Sequence, residues 1–516
     1  MFAIFFRQYS RQMSVGAIAL SLSLGGCQLS DFTVSPATES PTPEAPPSPT
    51  TYDNFVDWCQ NKENLSEPLR QTVDLLLENI QANQCELAQL ELLQLSELDL
   101  RGTQIVDLKP LASLRNLTKL SLRSNQITDL EPLRSLTSLV ELDLGSNKIT
   151  DLEPLANLTN LKSLSLFNNQ ISDLTPLSGL TNLQNLTLFN NQVTDLTALS
   201  GLNNLSQLDL GNNQITNLEA LSTLVNLTAL NLETNQIITV EPLASLRSLT
   251  ELDLGSNQIV DVDSLAAIST LKILHLGSNQ IIDIAKLSSL NSLTELDLSG
   301  NTIADIGAIA PLQSLTKLNL NTNAINSIDP LANLTYLSDL SLENNQITEI
   351  APLAKLTALE TLKLTKNQIT TVEAIAPLTN LKQLDLSDNQ ITAIAPLAKL
   401  TDLEELSLVA NKISKIEPLA SLTQLKILNL NGNQIETVEP LAGLTQLKTL
   451  NLKDNQIENV KPLASLTNLN ELVLENNQIA EIQSLSPLKS LTGLFLGGNA
   501  IAEKTCPVEP ASICSF

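Results

Sequence analysis

LTKLSLRSNQITDLEPLRSLTS, residues 117–138, is one copy of a pattern that recurs every 22 residues. Counted from Leu95, nineteen such units follow one another without an insertion or deletion, and the last ends near Ala502. We number the units 1 to 19 and the residues within each from position 1, so that 117–138 is unit 2. A period of this length is typical of an array in which each unit packs only on its neighbours.

Leucine occupies positions 1, 4 and 6 of every unit, beginning with Leu95, Leu98 and Leu100. The Leu-x-Leu alternation predicts a short strand with one face turned inward. Because each unit has one such strand, stacking the units places equivalent strands side by side in a long parallel sheet. The outward residues, at positions 3, 5 and 7, then form the surface that can contact a ligand.

Position 9 is Asn in every unit except the first, which has Thr103. An inward Asn can donate to and accept from the backbone groups freed where a strand ends, in its own unit and in the next. We therefore predict a structural ladder of asparagines. It comprises Asn125, Asn147, Asn169, Asn191, Asn213, Asn235, Asn257, Asn279, Asn301, Asn323, Asn345, Asn367, Asn389, Asn411, Asn433, Asn455, Asn477 and Asn499.

The second half of each unit predicts a tight return limb. Position 11 is Ile except at Val193, and position 16 is Pro in eleven units, among them Pro110 and Pro132. Proline fixes φ and lacks an N–H, which suits the first residue of a short helical turn. We therefore expect 3₁₀-like turns on the side opposite the sheet.

The motif L-x-x-L-x-L-x-x-N-x-I resembles the leucine-rich repeat family, and the 22-residue length with x-P-L-x-x-L resembles its internalin-like branch. The resemblance covers residues 95–502. It implies an α/β fold, a right-handed solenoid shaped as a horseshoe or arc, with a parallel β-sheet on the concave face and 3₁₀-like turns on the convex face. The similar repeats of a phosphatase-1 regulatory subunit show that the repeat alone does not select the partner.

The N-terminus has the features of an export signal, assigned to residues 1–26. Arg7 and Arg11 precede an apolar run from 13 to 24 that is typical of a signal-peptide core. The run ends in Leu24-Gly25-Gly26-Cys27, which resembles the lipobox of bacterial lipoproteins. The resemblance implies that Cys27 is lipidated and anchors the protein to a membrane of the bacterial cell envelope; a plain secretory signal is the alternative.

Residues 27–52 follow as a tether. They are dense in Pro, Ser, Thr and Glu, a composition that buries no core and favours extended chain. At about 3.1 Å per residue such a segment reaches up to about 75 Å.

Residues 53–94 break the period and predict a helical N-terminal cap. Ser66-Glu67-Pro68 is a helix start, apolar residues recur at helical spacing over 73–80, and Phe55 and Trp58 are expected to complete the core of the cap.

Four cysteines flank the repeats, Cys59 and Cys85 in the N-terminal cap and Cys506 and Cys514 in a C-terminal cap formed by residues 503–516. In an exported protein, two local disulfides, Cys59–Cys85 and Cys506–Cys514, are the natural pairing. A metal site is the alternative, but no His lies near these cysteines and neither spacing is C-x-x-C.

Two aromatic residues depart from the small or polar outward pattern. Phe167 and Phe189 occupy position 7 of adjacent units, so a strand spacing of about 4.8 Å places them side by side on the concave face. An exposed aromatic pair is a candidate ligand anchor. Alternatively, the two rings only cover the sheet where the strand meets the turn.

The single histidine, His275, lies at position 5 between Asp253 and Asp297 of the neighbouring units, with Glu251 and Glu295 at position 3. One His and four carboxylates suit a divalent cation, but a solvated acidic patch that keeps the imidazole protonated is the favoured interpretation. We therefore predict no metal and no cofactor. The residues Asp253, His275 and Asp297 are candidates for ligand contact.

Composition narrows the function. A net charge of −26 disfavours nucleic acid as a partner. No nucleophile–base or phosphate-loop motif is present, and neither cap is large enough for a catalytic domain, so an enzyme is not expected. We predict a monomeric, envelope-anchored recognition or adhesion protein that binds a protein, peptide or glycan on the concave face. The alternatives are a regulatory subunit that docks an enzyme, and an envelope spacer without a specific ligand.

Overall fold

A computed structural model describes residues 52–516 of the chain. The predicted signal peptide, Cys27 and all of the tether except its last residue lie outside the described residues. Three α-helices precede the repeats: α1 (Phe55–Gln60), α2 (Glu67–Ile80) and α3 (Cys85–Leu92). Within 52–516, no helix is long and apolar enough to cross a membrane.

Helix α2 joins the N-terminal cap to the first repeat. It begins after Ser66, as predicted, with a proline in its first turn. The Thr72 hydroxyl donates to the Asp107 carbonyl at 2.8 Å, and the Gln71 side chain donates to the Thr103 carbonyl at 3.1 Å. These bonds fix α2 over the open end of unit 1, where no preceding repeat covers the core.

The core of the cap continues that of the repeats. Phe55 and Trp58 are buried, as predicted, and so are Val73 and Leu76 of α2. The Trp58 indole N–H donates to the Tyr52 carbonyl at 3.2 Å, which satisfies its polar end.

Each unit contributes one three-residue strand at positions 3 to 5, and each strand pairs in parallel with the next in exact 22-residue register, as Leu98 does with Leu120. A last strand, β20, pairs with β19 and closes the far end of the sheet. The strands are β1 (Glu97–Asp99), β2 (Lys119–Ser121), β3 (Glu141–Asp143), β4 (Ser163–Ser165), β5 (Asn185–Thr187), β6 (Gln207–Asp209), β7 (Ala229–Asn231), β8 (Glu251–Asp253), β9 (Ile273–His275), β10 (Glu295–Asp297), β11 (Lys317–Asn319), β12 (Asp339–Ser341), β13 (Thr361–Lys363), β14 (Gln383–Asp385), β15 (Glu405–Ser407), β16 (Ile427–Asn429), β17 (Thr449–Asn451), β18 (Glu471–Val473), β19 (Gly493–Phe495) and β20 (Cys514–Ser515).

The inward leucines form one continuous core. No leucine at position 4 or 6 is more than 3% exposed, so these side chains are committed to packing and cannot contact a ligand. The fold is therefore the predicted leucine-rich solenoid, in which a parallel sheet carries the residues available for binding on its outer, concave side.

A 3₁₀ turn returns the chain in units 1 to 18, starting at position 15. The proline at position 16 is its second residue, whereas we expected the first. Both places suit proline, since the first N–H groups of a helix have no intrahelical partner. The turns are Lys109–Leu111, Glu131–Leu133, Glu153–Leu155, Thr175–Leu177, Thr197–Leu199, Glu219–Thr223, Glu241–Ser245, Asp263–Ala267, Ala285–Ser289, Gly307–Ile309, Asp329–Asn333, Ala351–Lys355, Glu373–Ile375, Ala395–Lys399, Glu417–Ser421, Glu439–Leu441, Lys461–Ser465 and Gln483–Leu485.

The asparagine ladder forms, with one difference from the prediction. The Asn257 side-chain amide donates to the carbonyls of Leu254 and Leu232, both at 3.0 Å, and its oxygen accepts from the Ile237 N–H at 3.0 Å. The neighbouring partners thus belong to the preceding unit, not the next. The reason is that the chain after the turn pairs backward, as the 2.9 Å bond from the Gln258 N–H to the Ile237 carbonyl shows.

A left-handed backbone turn at position 8 precedes each asparagine. Its φ is 56° at Ser256, 51° at Ala410 and 70° at Gly432. L-residues other than glycine adopt this conformation at a cost in free energy, and Asn and Asp pay less than others. The turn was not predicted from the sequence, although position 8 is rich in Gly, Asn, Ser and Asp.

Candidate functional site

Position 5 of the concave face has a local structural role that sequence analysis missed. One carboxylate oxygen of Asp253 accepts from the Gly255 N–H at 2.9 Å, and one of Asp297 accepts from the Ser299 N–H at 2.8 Å. These bonds satisfy the backbone where each strand ends. Each aspartate therefore keeps only its second oxygen for contacts across the face.

His275 lies between two carboxylates of adjacent strands. Its Nδ1 is 3.0 Å from an Asp253 oxygen, and its Nε2 is 3.4 Å from a Glu295 oxygen. Asp297, on the other side, instead accepts from the Asn319 amide at 3.1 Å. Of the four carboxylates predicted around His275, the structure thus brings Asp253 and Glu295 to the imidazole but not Asp297. Glu295 also lies 3.7 Å from the Lys317 ammonium.

These neighbours determine the charge of the imidazole. Partial burial disfavours the charged form, but the hydrogen bonds and negative charges of Asp253 and Glu295 outweigh it and raise the pKa of His275 to about 10. A doubly protonated imidazole has no free lone pair for a metal. Among residues 52–516, no group of three or more His, Cys, Asp or Glu is arranged to hold a metal ion.

A second acidic pair, Asp209 and Glu233, lies three and two units before His275. Asp209 accepts from the Gly211 N–H at 3.2 Å and from the Asn231 amide at 3.0 Å. Burial is the main reason that the pKa of Asp209 rises to about 7, and the charge of Glu233 adds to it. Burial and the nearby Asp253 also raise the pKa of Glu233. The sequence clue was present in the acidic residues at position 5 or 7 of units 6, 7 and 8.

Of the two interpretations of Phe167, an exposed anchor or a ring that covers the sheet, the second fits its burial, because only 7% of its surface is exposed. Its ring lies over Gly145 of the preceding unit, where a β-carbon would overlap it. The Arg123 guanidinium stacks over the ring at 4.9 Å from its centre. An outward position is thus partly buried because the neighbouring glycine leaves room for the ring.

Phe189 remains half-buried and lies against Gly211 of the following unit. The two rings therefore cover glycines on opposite sides instead of presenting a single exposed pair. Gly145 and Gly211, which flank the two phenylalanines at position 7, were the sequence clue to this arrangement.

A shallow depression of about 210 Å³ lies on the concave face between units 13 and 16. Lys363, Asp385 and Glu405 line it with charged groups, and Ile427 adds an apolar side chain that is 41% exposed. This depression was not predicted from the sequence. An isoleucine at outward position 3, where polar residues prevail, was the available clue.

Both predicted disulfides are present. Cys59 and Cys85 are joined with their Cα atoms 5.6 Å apart, which ties α1 to the start of α3. Cys506 and Cys514 are joined with Cα atoms 5.8 Å apart, and Cys514 lies in β20. The bonds thus brace the two segments that cover the ends of the repeat core.

Comparison with known protein families matches the chain to two families, described as Leucine Rich repeats (2 copies) and Leucine rich repeat. The chain belongs to the leucine-rich repeat family. The second family matches 247–303 and 335–391. The first matches 93–135, 115–157, 137–179, 159–201, 181–223, 203–245, 225–267, 291–333, 379–421, 403–443, 423–465 and 445–489.

Among solved structures, this leucine-rich repeat protein is similar to an internalin, InlF, of Listeria monocytogenes, with 33% identity, a TM-score of 0.57 and coverage of 66% of this chain and 95% of that one. A leucine-rich repeat protein of Leptospira interrogans is 27% identical, with a TM-score of 0.57 and coverage of 78% and 94%. Comparison with curated protein sequences gives no match.

The ectodomain of the receptor kinase GASSHO1/SCHENGEN3 of Arabidopsis thaliana is 25% identical, with a TM-score of 0.59. The match covers 81% of this chain and 60% of that ectodomain, whose structure was solved in complex with Casparian strip integrity factor 2.

Proposed function

We propose that this leucine-rich repeat protein is a recognition or adhesion protein of the bacterial cell envelope that binds a protein or peptide on its concave face. The observation that carries the proposal is the contrast between the inward and the outward positions of each unit. Inward positions are nearly invariant, whereas positions 3, 5 and 7 carry distinct features. These are the Arg123–Phe167 stack, the His275 cluster, formed by His275, Asp253 and Glu295, and the depression at Ile427.

The distribution of these features supports a macromolecular ligand. They occur from unit 2 to unit 16, and at about 4.8 Å per strand this distance is roughly 65 Å. A small molecule spans a few units at most. The plant ectodomain with a bound partner is a further support, since that protein carries the same repeat fold.

Catalysis has no support in the described residues. His275 is held protonated by Asp253 and Glu295, so it is a poor general base at neutral pH. The fold families that match the chain are binding modules, and the internalin likeness points in the same direction.

Export and anchoring rest on the N-terminal sequence and on the disulfides. The pairs Cys59–Cys85 and Cys506–Cys514 suit an oxidising compartment outside the cytoplasm. Mass spectrometry of the mature protein tests the anchor: we expect Cys27 as the first residue with attached acyl chains. An unmodified Cys27 inside a longer N-terminus would contradict it.

Capture from envelope extracts tests the binding function. The full chain is compared with a concave variant carrying Phe189→Ala, His275→Ala and Ile427→Ser, and we expect a specific protein to be retained by the first and lost from the second. A control variant alters three exposed lateral glutamines, Gln170, Gln368 and Gln434, to Ala and should retain the protein. Equal retention by all three chains would favour a spacer without a specific ligand.

A further inference from the structure

Three large aliphatic side chains are exposed next to one another outside the concave face. Ile238, Val260 and Ile282 occupy position 12 of units 7, 8 and 9 and are 55%, 49% and 63% exposed. We call these three residues the lateral stripe. Position 12 is Thr in units 2, 3, 5 and 6, so the stripe departs from the repeat in three consecutive units.

Backbone hydrogen bonds hold the lateral stripe in register. The Gln258 N–H donates to the Ile237 carbonyl and the Gln280 N–H to the Ile259 carbonyl, each at 2.9 Å. Because adjacent units pair directly beside position 12, the three side chains follow one another at about 5 Å. They form a continuous apolar row between the sheet and the 3₁₀ turns.

The lateral stripe has no role in the core. Positions 11 and 14 of the same units fill the interior, and Ile259 and Val262, for example, are at most 1% exposed. The threonines at position 12 elsewhere show that stacking does not require an aliphatic residue there. Contiguous exposed apolar residues with no structural role mark a contact surface for another molecule.

Charge around the lateral stripe indicates the chemistry of that molecule. Four exposed carboxylates follow it at positions 13 and 15 of the same units, on the side of the 3₁₀ turns. Between positions 13 and 16 of these units Lys286 is the one cation, and Arg247 lies farther along, at position 21 of unit 7. The bordering carboxylates are Glu241, Asp261, Asp263 and Asp283.

We propose that the lateral stripe docks a segment of a partner protein in which aliphatic side chains are flanked by Lys or Arg. The aliphatic side chains pack on the stripe and the cations face the bordering carboxylates. A second copy of this chain fits less well, because both copies carry a net charge of −26. Three side chains also bury far less than the roughly 800 Å² per partner of a stable dimer. This surface is separate from the concave face and does not depend on what binds there.

Peptide binding to the full chain tests the proposal. The probe is a fluorescently labelled nine-residue peptide that alternates Lys and Val, and the comparison peptides alternate Lys with Ser and Glu with Val. We expect the Lys–Val peptide to bind at least ten times more tightly than either, as measured by fluorescence anisotropy. If the Lys–Ser peptide binds as tightly as the Lys–Val peptide, net charge alone explains the binding. If the Glu–Val peptide binds as tightly, the bordering carboxylates have no role. Either result overturns the proposal.

Variants locate the binding. Ile238→Thr, Val260→Thr and Ile282→Thr together restore the residue found in other units, so the chain should fold normally, and they should weaken Lys–Val binding at least tenfold. Val106→Thr, which removes an isolated exposed aliphatic residue at position 12 of unit 1, is the matched control and should change nothing. Unchanged binding by the triple variant contradicts the proposal.

Two further measurements separate this proposal from others. The concave variant described above should bind the Lys–Val peptide as the unaltered chain does, so failure of the concave face and failure of the lateral stripe give different results. Sedimentation of the full chain should show a monomer. A dimer that the triple variant abolishes would assign the stripe to a second copy and overturn the proposed occupant.

Discussion

The interior and the concave face of units 7 to 9 are built from alternate residues of the same strands, yet they follow different rules. Inside, Leu230, Leu252 and Leu274 repeat without change and are at most 2% exposed. Outside, the equivalent residues at position 5 are Asn231, Asp253 and His275, which differ from unit to unit. Stacking constrains only the inward side chains, so the outer face can vary without cost to the fold.

Position 5 is an exception to this division between inward and outward residues. Asp253 is outward, but one of its oxygens caps the Gly255 N–H while the other faces His275. A single side chain thus serves the strand end and the concave surface together. Variation on the concave face is least free at position 5.

Breaking the ladder should have the largest effect. Asn257→Ala leaves the Ile237 N–H without a partner and removes one of the two donors to each of the Leu232 and Leu254 carbonyls, which keep their bonds from Asn235 and Asn279. At about 1–3 kcal/mol for the unsatisfied N–H and about 0.5–1.5 kcal/mol for each lost hydrogen bond, we expect a loss of about 4 kcal/mol in the free energy of unfolding. Urea denaturation measures it. Gln258→Ala, at the neighbouring exposed residue, is the control and should change stability by less than about 0.5 kcal/mol. Similar losses for both variants would contradict the ladder.

Removing the disulfide bond of either cap should lower the free energy of unfolding somewhat less than breaking the ladder does. Reducing the Cys59–Cys85 bond, with a sequence separation of 26, should cost about 3.5 kcal/mol on the chain-entropy account. For Cys506–Cys514, with a separation of 8, the same account predicts about 2.5 kcal/mol. Thermal unfolding of Cys85→Ser and Cys514→Ser variants, each with its partner also changed to Ser, compares them. The reverse order would show that chain entropy does not set the cost.

A substitution beside His275 on the concave face should change the pKa of its imidazole more than it changes the free energy of unfolding. Because His275 is the only histidine, its NMR titration is unambiguous, and we expect a midpoint at about pH 10. The folded pKa lies above the ordinary value of 6.5, so the stabilisation is complete below about pH 6.5 and is lost as the pH rises toward 10. Asp253→Asn should lower the midpoint by about one to three pH units. A midpoint near 6.5 in the unaltered chain would show that the cluster does not form.

Substitutions in the left-handed turn at position 8 should have the smallest effect on stability. Ala410 adopts a φ of 51°, which costs an alanine about 1 kcal/mol, so Ala410→Gly should stabilise the protein by up to that amount. Gly432→Ala, at the same position of the next unit and with a φ of 70°, should destabilise it by a similar amount. Opposite shifts in the urea midpoint support the turn; shifts of the same sign contradict it.

What could be predicted from sequence follows the same division. The leucines, Asn257 and its equivalents recur so often that strand, ladder and return turn were evident from the pattern alone. The backward direction of the ladder was not, because it depends on the backbone pairing after the turn at position 8. The Gly, Asn and Asp residues at position 8 of other units favour a positive φ, but Ser256 and Ala410 themselves give no such signal.

The concave face was less predictable because its side chains interact between units. Phe167 stands out in the sequence, but its burial depends on Gly145 being 22 residues earlier. The sequence placed four carboxylates near His275, but which of them contact the imidazole, Asp253 and Glu295, depends on the geometry of adjacent strands. Side-chain directions across a sheet are set by such neighbours, not by position within a unit.

Because each ladder asparagine bonds to the unit that precedes it, the junctions between neighbouring units are equivalent along the array. Since the side chain of each ladder residue, such as Asn279, hydrogen-bonds only within its own unit and to the one before it, removing exactly 22 residues recreates the same joint at the new boundary. Unequal recombination between equivalent repeats can therefore lengthen or shorten the protein in steps of about 4.8 Å, with both caps retained. The reach of the binding surface is a quantity that can evolve independently of its chemistry.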